Sequence, residues 1–293
     1  LNRVDAGGVT VTTDGSNTKA EIARLRADSL RTKDAAVRNL NADRVTLKDA
    51  NGATDITADS VRADGVDAGS TKIGELQTGT LDVKIRGKQT DVVTDRLKVA
   101  KVEADAAVLG SLNIAGVRLK IVAGRIEGTS GDIDAGNIDL RKNGSLENAK
   151  FLKPVFVLEP SGRYRASMDM SLGGGILGSV KLGAARASVV ADSDKVVLSN
   201  LTAEVMDGSV KGNATIAMDR RNSSSLDAAF LNLDLAKLLA LQGGKIVPLA
   251  GNASGKADLT FIGTDFKTAG GTVTAEFEAS AGSEDRGLVP ING

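Results

Sequence analysis

The side chains that could carry out chemistry are few in this chain of 293 residues. It contains neither histidine nor cysteine. Catalysis by a Ser-His-Asp or Cys-His arrangement, histidine-ligated zinc and imidazole acid–base chemistry therefore cannot be built from it. Disulfides and thiolate sites are excluded for the same reason, so redox chemistry does not indicate the compartment. The sequence predicts no catalytic residue, no metal site and no cofactor.

Acidic and glycine-rich stretches supply the remaining candidates for a polar site. Asp132 and Asp134 are paired carboxylates of the kind that glycosidases use, but no aromatic side chain accompanies them to stack on a sugar. Segment 128–136 resembles one imperfect copy of a calcium-binding Gly/Asp repeat, with too few carboxylates for a cage. Segment 173–181 lacks the Gly-Lys-Ser/Thr ending of a phosphate loop. We interpret all of these, together with 49–52, as turns.

The overall composition excludes further classes of function. The 37 basic and 37 acidic side chains cancel, so no net charge attracts nucleic acid or an anionic membrane. Six Phe, one Tyr and no Trp are too few for a base-stacking platform. No apolar run approaches the roughly 18–20 residues that span a membrane, and no signal-peptide pattern opens the chain. The chain begins with Leu, and we expect an internal piece of a longer protein whose membrane anchor lies elsewhere.

Alternation of apolar and polar residues predicts long strands in the second half of the chain. From Val210 to Ile216, apolar and small residues fall on one side and polar residues on the other, which is typical of a strand with one buried face. Asp207-Gly208 stands between this run and the preceding one, which predicts a β-hairpin. Leucines at helical spacing follow Asp234 as the N-cap, and they predict a short α-helix near 235–242 that ends at Gly243.

A five-residue spacing organises the first half of the chain. Such a short repeat buries its apolar residues only by stacking on neighbouring repeats, so it predicts solenoid-like or edge-stacked β structure. The stretch 20–40 is also rich in Ala, Arg, Lys and Leu, which leaves a helix open as the alternative there. The residues in this spacing are Leu25, Leu30, Ala35, Leu40, Val45, Ile56, Val61, Val66, Leu76 and Leu81.

These patterns together predict an all-β protein. We expect an elongated, strongly curved and mostly antiparallel sheet, either a groove or β-solenoid-like, with one short α-helix near 235–242. Residues 1–147 are predicted to form a repeat-rich, solenoid-like β extension. Residues 148–293 are predicted to form a curved β-sheet unit that carries the leucine-rich helix.

The second half of the chain resembles a known family in the order and wording of its elements. The stretches LTAEVMDGSVKGNATIAM, LNLDLAKLLAL and LAGNASGKADLTFIGT, at 201–218, 231–241 and 249–264, are similar to the recurring unit of AsmA-like and TamB-type proteins of the bacterial envelope. Segment 115–136 resembles the shorter strand pairs of that family. The resemblance implies a non-catalytic periplasmic protein for lipid transport between the inner and outer membranes or for outer-membrane biogenesis. It also implies phospholipid or another acyl lipid as the ligand and an outer-membrane assembly protein as a partner.

On this interpretation, the apolar strand faces form the functional site. Each CH2 group that passes from water into an apolar groove is favoured by roughly 0.8 kcal/mol, so aliphatic side chains alone can hold an acyl chain. The alternative is a secreted or surface β-helical adhesin or structural stalk, in which such faces close into a dry core. The residues predicted to line the groove are Met168, Met170, Val196, Leu198, Val205, Val210, Ile216, Met218, Phe230, Leu259 and Phe261.

Overall fold

The computed structural model describes residues 2–33, 35–178, 180–219, 221–240, 249–263, 265–279 and 289–290. Strands account for 78% of the chain and helix for 3%, which confirms the predicted all-β class with a short helix. The sheet is antiparallel and curved. The chain forms two compact units: unit 1 is 1–141 with 150–164, and unit 2 is 142–149 with 165–293. The chain therefore passes between the units three times, where the sequence predicted one boundary at 147.

Unit 1 is built from short and long strands joined mostly by tight turns, and a 3-10 turn (Arg141–Asn143) follows its last short strand. Its strands are β1 (Asn2–Asp14), β2 (Asn17–Arg31), β3 (Ala35–Ala50), β4 (Ala53–Ala58), β5 (Ser60–Ala63), β6 (Gly65–Ala68), β7 (Thr71–Ile73), β8 (Leu76–Thr78), β9 (Leu81–Arg86), β10 (Gln89–Val99), β11 (Val102–Glu103), β12 (Val108–Leu109), β13 (Leu112–Val122), β14 (Arg125–Ser130), β15 (Ile133–Ala135), β16 (Ile138–Asp139) and most of β18 (Ala149–Leu158).

Reverse turns divide unit 1 into antiparallel arms of equal length. Asn51, Gly69 and Gly87 each open a two-residue turn, and each lies 18 residues after the one before. Gly15 and Ala123 open turns two such steps away on either side. All five residues have positive φ, as two-residue hairpin turns require. Consecutive arms pair in a constant register. Because the turns are also equally spaced, equivalent positions of the repeat lie beside one another in neighbouring arms.

The five-residue spacing arises from bends within these arms. In the arm 53–68, the chain bends at Asp59 and Asp64, and these two residues separate β4, β5 and β6. At each bend one extra residue interrupts the alternation. The intervals between successive residues on the same side of the arm are therefore two and three residues in turn. The residues at these steps are Ile56, Ala58, Val61, Ala63 and Val66. The predicted stacked β arrangement is thus formed by antiparallel arms.

Polar side chains connect the bends of neighbouring arms. The Asn39 amide donates a hydrogen bond of 2.7 Å to the Asp64 carboxylate, and Arg44 forms an ion pair with Asp59. Asn39 and Arg44 both have φ of +48°, a left-handed conformation that is uncommon for residues other than glycine. The two contacts therefore link β3 to the bends of the next arm. Residues 20–31 lie in β2 and residues 35–40 in β3, so the helical alternative for the stretch 20–40 is wrong.

Rows of apolar side chains cross the arms of unit 1 in strict pairs, and small residues alternate with large ones in several rows. The smallest positions are the most buried: Ala63 and Ala135 are each 1% exposed. Close packing of these rows leaves no room for a larger side chain at an alanine position. One such row is Ala63–Leu76–Val99–Leu112–Ala135.

Unit 2 contains longer strands and the helix α1 (Leu235–Ala240). The predicted helix position is confirmed, while its predicted end at 241–242 and the stop at Gly243 lie outside the described residues. The strands β25 and β28 pair in parallel as a separate two-stranded sheet. The strands are β17 (Gly144–Glu147), β19 (Tyr164–Leu172), β20 (Gly174–Leu177), β21 (Val180–Asp192), β22 (Lys195–Val205), β23 (Gly208–Ala217), β24 (Ser223–Asp234), β25 (Leu249–Ala250), β26 (Asn252–Ile262), β27 (Asp265–Glu278) and β28 (Val289–Pro290).

The hairpin predicted at Asp207-Gly208 is present, but its turn lies one residue earlier. Met206 and Asp207 form the turn, and Gly208 pairs with Val205 as the first residue of β23. A Cβ atom at Gly208 would lie 2.3 Å from the Leu231 carbonyl oxygen. The glycine is therefore needed for close approach of β24, whereas Met206 and Asp207 take the positive φ angles of the turn.

Two stretches interpreted as turns are largely strand. Residues 128–130 lie in β14 and residues 133–135 in β15, with a bend at 131–132 between them, because the steps of two and three residues continue through this Gly/Asp-rich segment. Residues 174–177 form β20, which pairs with β17 and β21, and Gly178 follows it in a turn. The turn predicted at 49–52 is confirmed at Asn51-Gly52.

We predict that Ala63→Leu destabilises the protein, because the larger side chain must fit into a packed row beside Leu76. Overpacking of this kind costs typically about 1–3 kcal/mol, measurable as a lower urea midpoint. Ala68→Leu is the control, since Ala68 is exposed near the turn of the same arm. Equal urea midpoints for the two variants would contradict the packing described for the row.

Candidate apolar binding face

Three rows of paired side chains cross the strands of unit 2 on one side. We call this surface the apolar face, and define it by these rows. Alternation places every second residue of each strand on it, and antiparallel pairing aligns those residues from β19 to β26. The rows are Met168–Val189–Leu198–Ala214–Leu226–Leu259, Leu172–Ala185–Ala203–Val210–Phe230–Gly255 and Ala166–Ala191–Val196–Ile216.

The opposite side of the same strands is polar. Lys211 lies next to Val210 and Gly212 in β23 and is exposed, and Asp227 pairs with Asp258 across β24 and β26. The Ser188 hydroxyl donates a hydrogen bond of 2.6 Å to the Asp169 carboxylate on that side. The sheet of unit 2 therefore has one wet side and one apolar side.

Most large side chains of the apolar face are only half-buried, whereas Leu172 and Val189 are buried. Half-burial holds for residues in the middle strands, such as Leu198, Val210 and Leu226. Among the described residues of unit 2, each strand makes its extensive contacts with the strands to which it is hydrogen-bonded. At the edge strand β27, Val273 pairs with Ala257 and is 57% exposed. A covering layer would bury such side chains almost completely, and none of the described residues of unit 2 forms one over them.

The structure aligns most of the predicted groove residues. Met168, Leu198 and Leu259 share one row, Val210 and Phe230 share the second, and Val196 and Ile216 pair in the third. Met170 pairs with Ala187 between the first two rows, and Val205 pairs with Leu182 beyond the second.

Two predicted residues differ from the rest. Phe261 is 2% exposed and pairs with Ser224, whose hydroxyl is bonded to the Ala217 amide and the Gly263 carbonyl. Met218 follows the last residue of β23, outside the rows, and is 54% exposed. Phe261 therefore belongs to the buried end of the sheet, and Met218 to its rim.

The prediction omitted the small residues of the face. Ala187, Ala203, Ala214 and Ala228 lie between the large side chains and form its low points. Gly255 lies under the Phe230 ring, because a Cβ atom there would be 2.9 Å from its Cζ atom. The small residues follow the same alternation along each strand as the large ones. Their alternate positions in the sequence could therefore have placed them on this face.

A cavity of about 820 Å³ lies beside the turn between β22 and β23. Its wall includes Leu182 and Val205, which pair across β21 and β22. Lys237 of α1 forms an ion pair with Asp207 on the same wall. The hydrogen bond with Asp207 raises the pKa of Lys237, so its ammonium stays charged at neutral pH.

The polar candidates from the sequence make local contacts only. The Asp132 carboxylate accepts a hydrogen bond from the Lys153 amide, and Asp134 lies 3.3 Å from the Lys150 ammonium in an ion pair. Within the described ranges, no group of three or more acidic side chains is placed to hold a metal ion. No helix in the described part of the chain is long and apolar enough to cross a membrane.

Comparison with known proteins gives no relatives. No family model, no curated protein and no solved structure matches this chain.

We predict that Leu198→Ala costs clearly less stability than Leu233→Ala. Leu233 is 7% exposed and belongs to the same unit, so its truncation should cost about 2–5 kcal/mol, as in a packed core. Leu198 is half-buried on the apolar face, and about 1 kcal/mol is expected because it loses less contact area. Urea unfolding measures both values. An equally large loss at Leu198 would mean that a second layer covers the face.

Proposed function

We propose that this chain is a non-catalytic, periplasmic segment of an AsmA-like or TamB-type protein of the bacterial envelope. Its apolar face would shield lipid acyl chains during lipid transport between the inner and outer membranes or during outer-membrane biogenesis. The observation that carries the proposal is the set of aligned, half-buried aliphatic rows on one side of unit 2. The resemblance of segments 201–218, 231–241 and 249–264 to the recurring unit of that family supports the proposed family.

The energetics favour an acyl chain as the ligand. A chain of a dozen methylenes that lost half of its water contacts would gain roughly 5 kcal/mol, at about 0.8 kcal/mol for each fully buried CH2. A phospholipid with two such chains would gain roughly 10 kcal/mol, against association costs of about 4–15 kcal/mol. No polar anchor is needed along the rows, because water exclusion supplies the favourable term.

The structural-stalk alternative is less well supported by unit 2. A stalk or adhesin is expected to bury its aliphatic side chains in a dry core. Leu198, Val210 and Ile216 remain half-buried instead, which is a poor use of apolar surface unless a ligand completes the burial.

We predict that the protein purified from bacterial envelope in mild detergent carries lipid in stoichiometric amount, measured by mass spectrometry after extraction. The double variant Leu198→Asp, Ile216→Asp should lose this lipid, because two carboxylates on the apolar face must be desolvated by an acyl chain. Circular dichroism should show unchanged β content, since both positions remain open to water.

The matched control is the double variant Val197→Asp, Thr215→Asp. These two residues pair across the same strands, β22 and β23, but lie on the other side of the sheet. The control should retain the lipid. Lipid loss in both variants, or lipid-free wild-type protein, would contradict the proposal, and the second result would favour a structural stalk.

A further inference from the structure

We propose that the free edge of β1 binds an extended strand of another polypeptide with the residue pattern of β2. β1 pairs with β2 along one edge, and none of the described strands pairs with the other. The backbone amides and carbonyls of that edge can be satisfied by a further antiparallel strand. The proposal concerns unit 1 alone, so it goes beyond lipid binding by unit 2.

β1 and β3 are equivalent strands on either side of β2. Ile22 of β2 pairs with Val9 of β1 on one side and with Val45 of β3 on the other. The pairing of each of these two strands is interrupted twice, at residues with positive φ that recur 36 residues later. The interruptions are Arg3 and Gly8 in β1, and Asn39 and Arg44 in β3. β3 therefore shows how a strand with the geometry of β1 pairs on both of its edges.

The free edge of β1 corresponds to the edge of β3 that β2 occupies. β1, β2, β3 and the arm 53–68 follow one another as neighbours, so a step of two strands carries β1 onto β3 and β2 onto the arm 53–68. Along the edge in question, β3 pairs with β2 from Thr18 to Arg31. A strand with the pattern of β2 therefore fits the free edge of β1.

Apolar side chains of β1 lack the cover that their equivalents in β3 receive. Val45 is 7% exposed, because β3 has a paired strand on each side. Val9, its equivalent, is 50% exposed, and Val11 is 60% exposed. A strand on the free edge would cover part of both valines, and burial of this apolar area is favourable. The edge thus offers apolar contact as well as backbone hydrogen bonds.

β1 lacks the residues that commonly protect edge strands from other chains. It is 13 residues long and contains neither Lys nor Pro. Its two interruptions do not block a second neighbour, since β3 has equivalent interruptions and is paired on both edges. Asp5 pairs with Arg26 of β2, so a basic side chain at the equivalent position of the partner would also lie opposite a carboxylate.

A second copy of β1 does not fit this edge. In β1, the residues on the apolar side come one and three positions after the interruption at Arg3, whereas in β2 they come two and four positions after the interruption at Ala23. If two β1 strands paired with their interruptions aligned, Val4 would lie opposite Gly7, although these residues lie on opposite sides of the strand. The partner must therefore have the alternation of β2.

The direction of the backbone groups at the free edge follows from β3. The Asp59 amide donates a hydrogen bond of 3.1 Å to the Asp43 carbonyl, so the backbone groups of Asp43 point away from β2. Those of the adjacent Ala42 point the opposite way, to Leu25 of β2, with which Ala42 pairs. Ala6 is the equivalent of Ala42 in β1, so its amide and carbonyl face the free edge.

The test uses the full chain and a synthetic peptide with the sequence of β2, Asn17–Arg31. Hydrogen exchange is read at single amides by NMR. At saturating peptide, exchange of the Ala6 amide should slow at least about tenfold, whereas exchange in the edge strand β27 of unit 2 should not change. Absence of protection in β1, protection of β27, or faster exchange in β2 because the peptide replaces it would overturn the proposal.

A peptide of the same residues in reverse order is the matched control. Its composition and charge are identical, but its apolar residues come one and three positions after the first interruption, as they do in β1. Its affinity, measured by calorimetry, should be at least about tenfold lower. Equal affinities of the two peptides would show that the edge does not select the pattern of β2, and the proposal would fail.

N-methylated peptides test the direction of the pairing. N-methylation of Leu25 removes the donor that faces Ala6, so the affinity should fall about tenfold. N-methylation of Arg24, whose amide faces away from β1 in this arrangement, should change the affinity less than about twofold. Equal losses for the two peptides would contradict pairing at this edge.

Discussion

Antiparallel pairing in strict register is the constraint on which the rest of this structure depends. Alternation along a strand separates two sets of side chains, but only register aligns those sets across many strands. In unit 2, pairs such as Val189–Leu198 and Leu226–Leu259 place aliphatic side chains in continuous rows. A shift of one residue in any strand would move its apolar side chains to the polar side. The apolar face is therefore a property of the whole sheet.

Both units contain strands with apolar rows, but the strands of the two units differ. Unit 1 uses bends at five-residue spacing and alanines such as Ala42, Ala58 and Ala63, which bury small side chains within the bent arms. Unit 2 has longer, less interrupted strands whose large side chains stay half-buried. Buried alanines and half-buried large side chains occur in both units, so the difference lies in the bends that interrupt the strands of unit 1.

Much of this fold could be predicted from the sequence because its signals are local. Alternation from Val210 to Ile216 gave the strand, its orientation and the groove residues on it. The helix at Leu235 followed from the N-cap and the leucine spacing. The bends at Asp59 and Asp64 were visible only as a five-residue period of the apolar residues. Burial of Phe261 and the cavity beside Asp207 depend on tertiary packing, which no local pattern encodes.

Contact between an acyl chain and the apolar face is the central claim, and photocrosslinking measures it most directly. A photoreactive phenylalanine analogue in place of Phe230 keeps an aromatic ring on the face, and the same analogue at Ala229 lies on the polar side of the same strand. The account predicts crosslinks to lipid acyl chains from position 230 and none above background from position 229. Equal crosslinking at both positions, or none at 230 in protein that carries lipid, would contradict it.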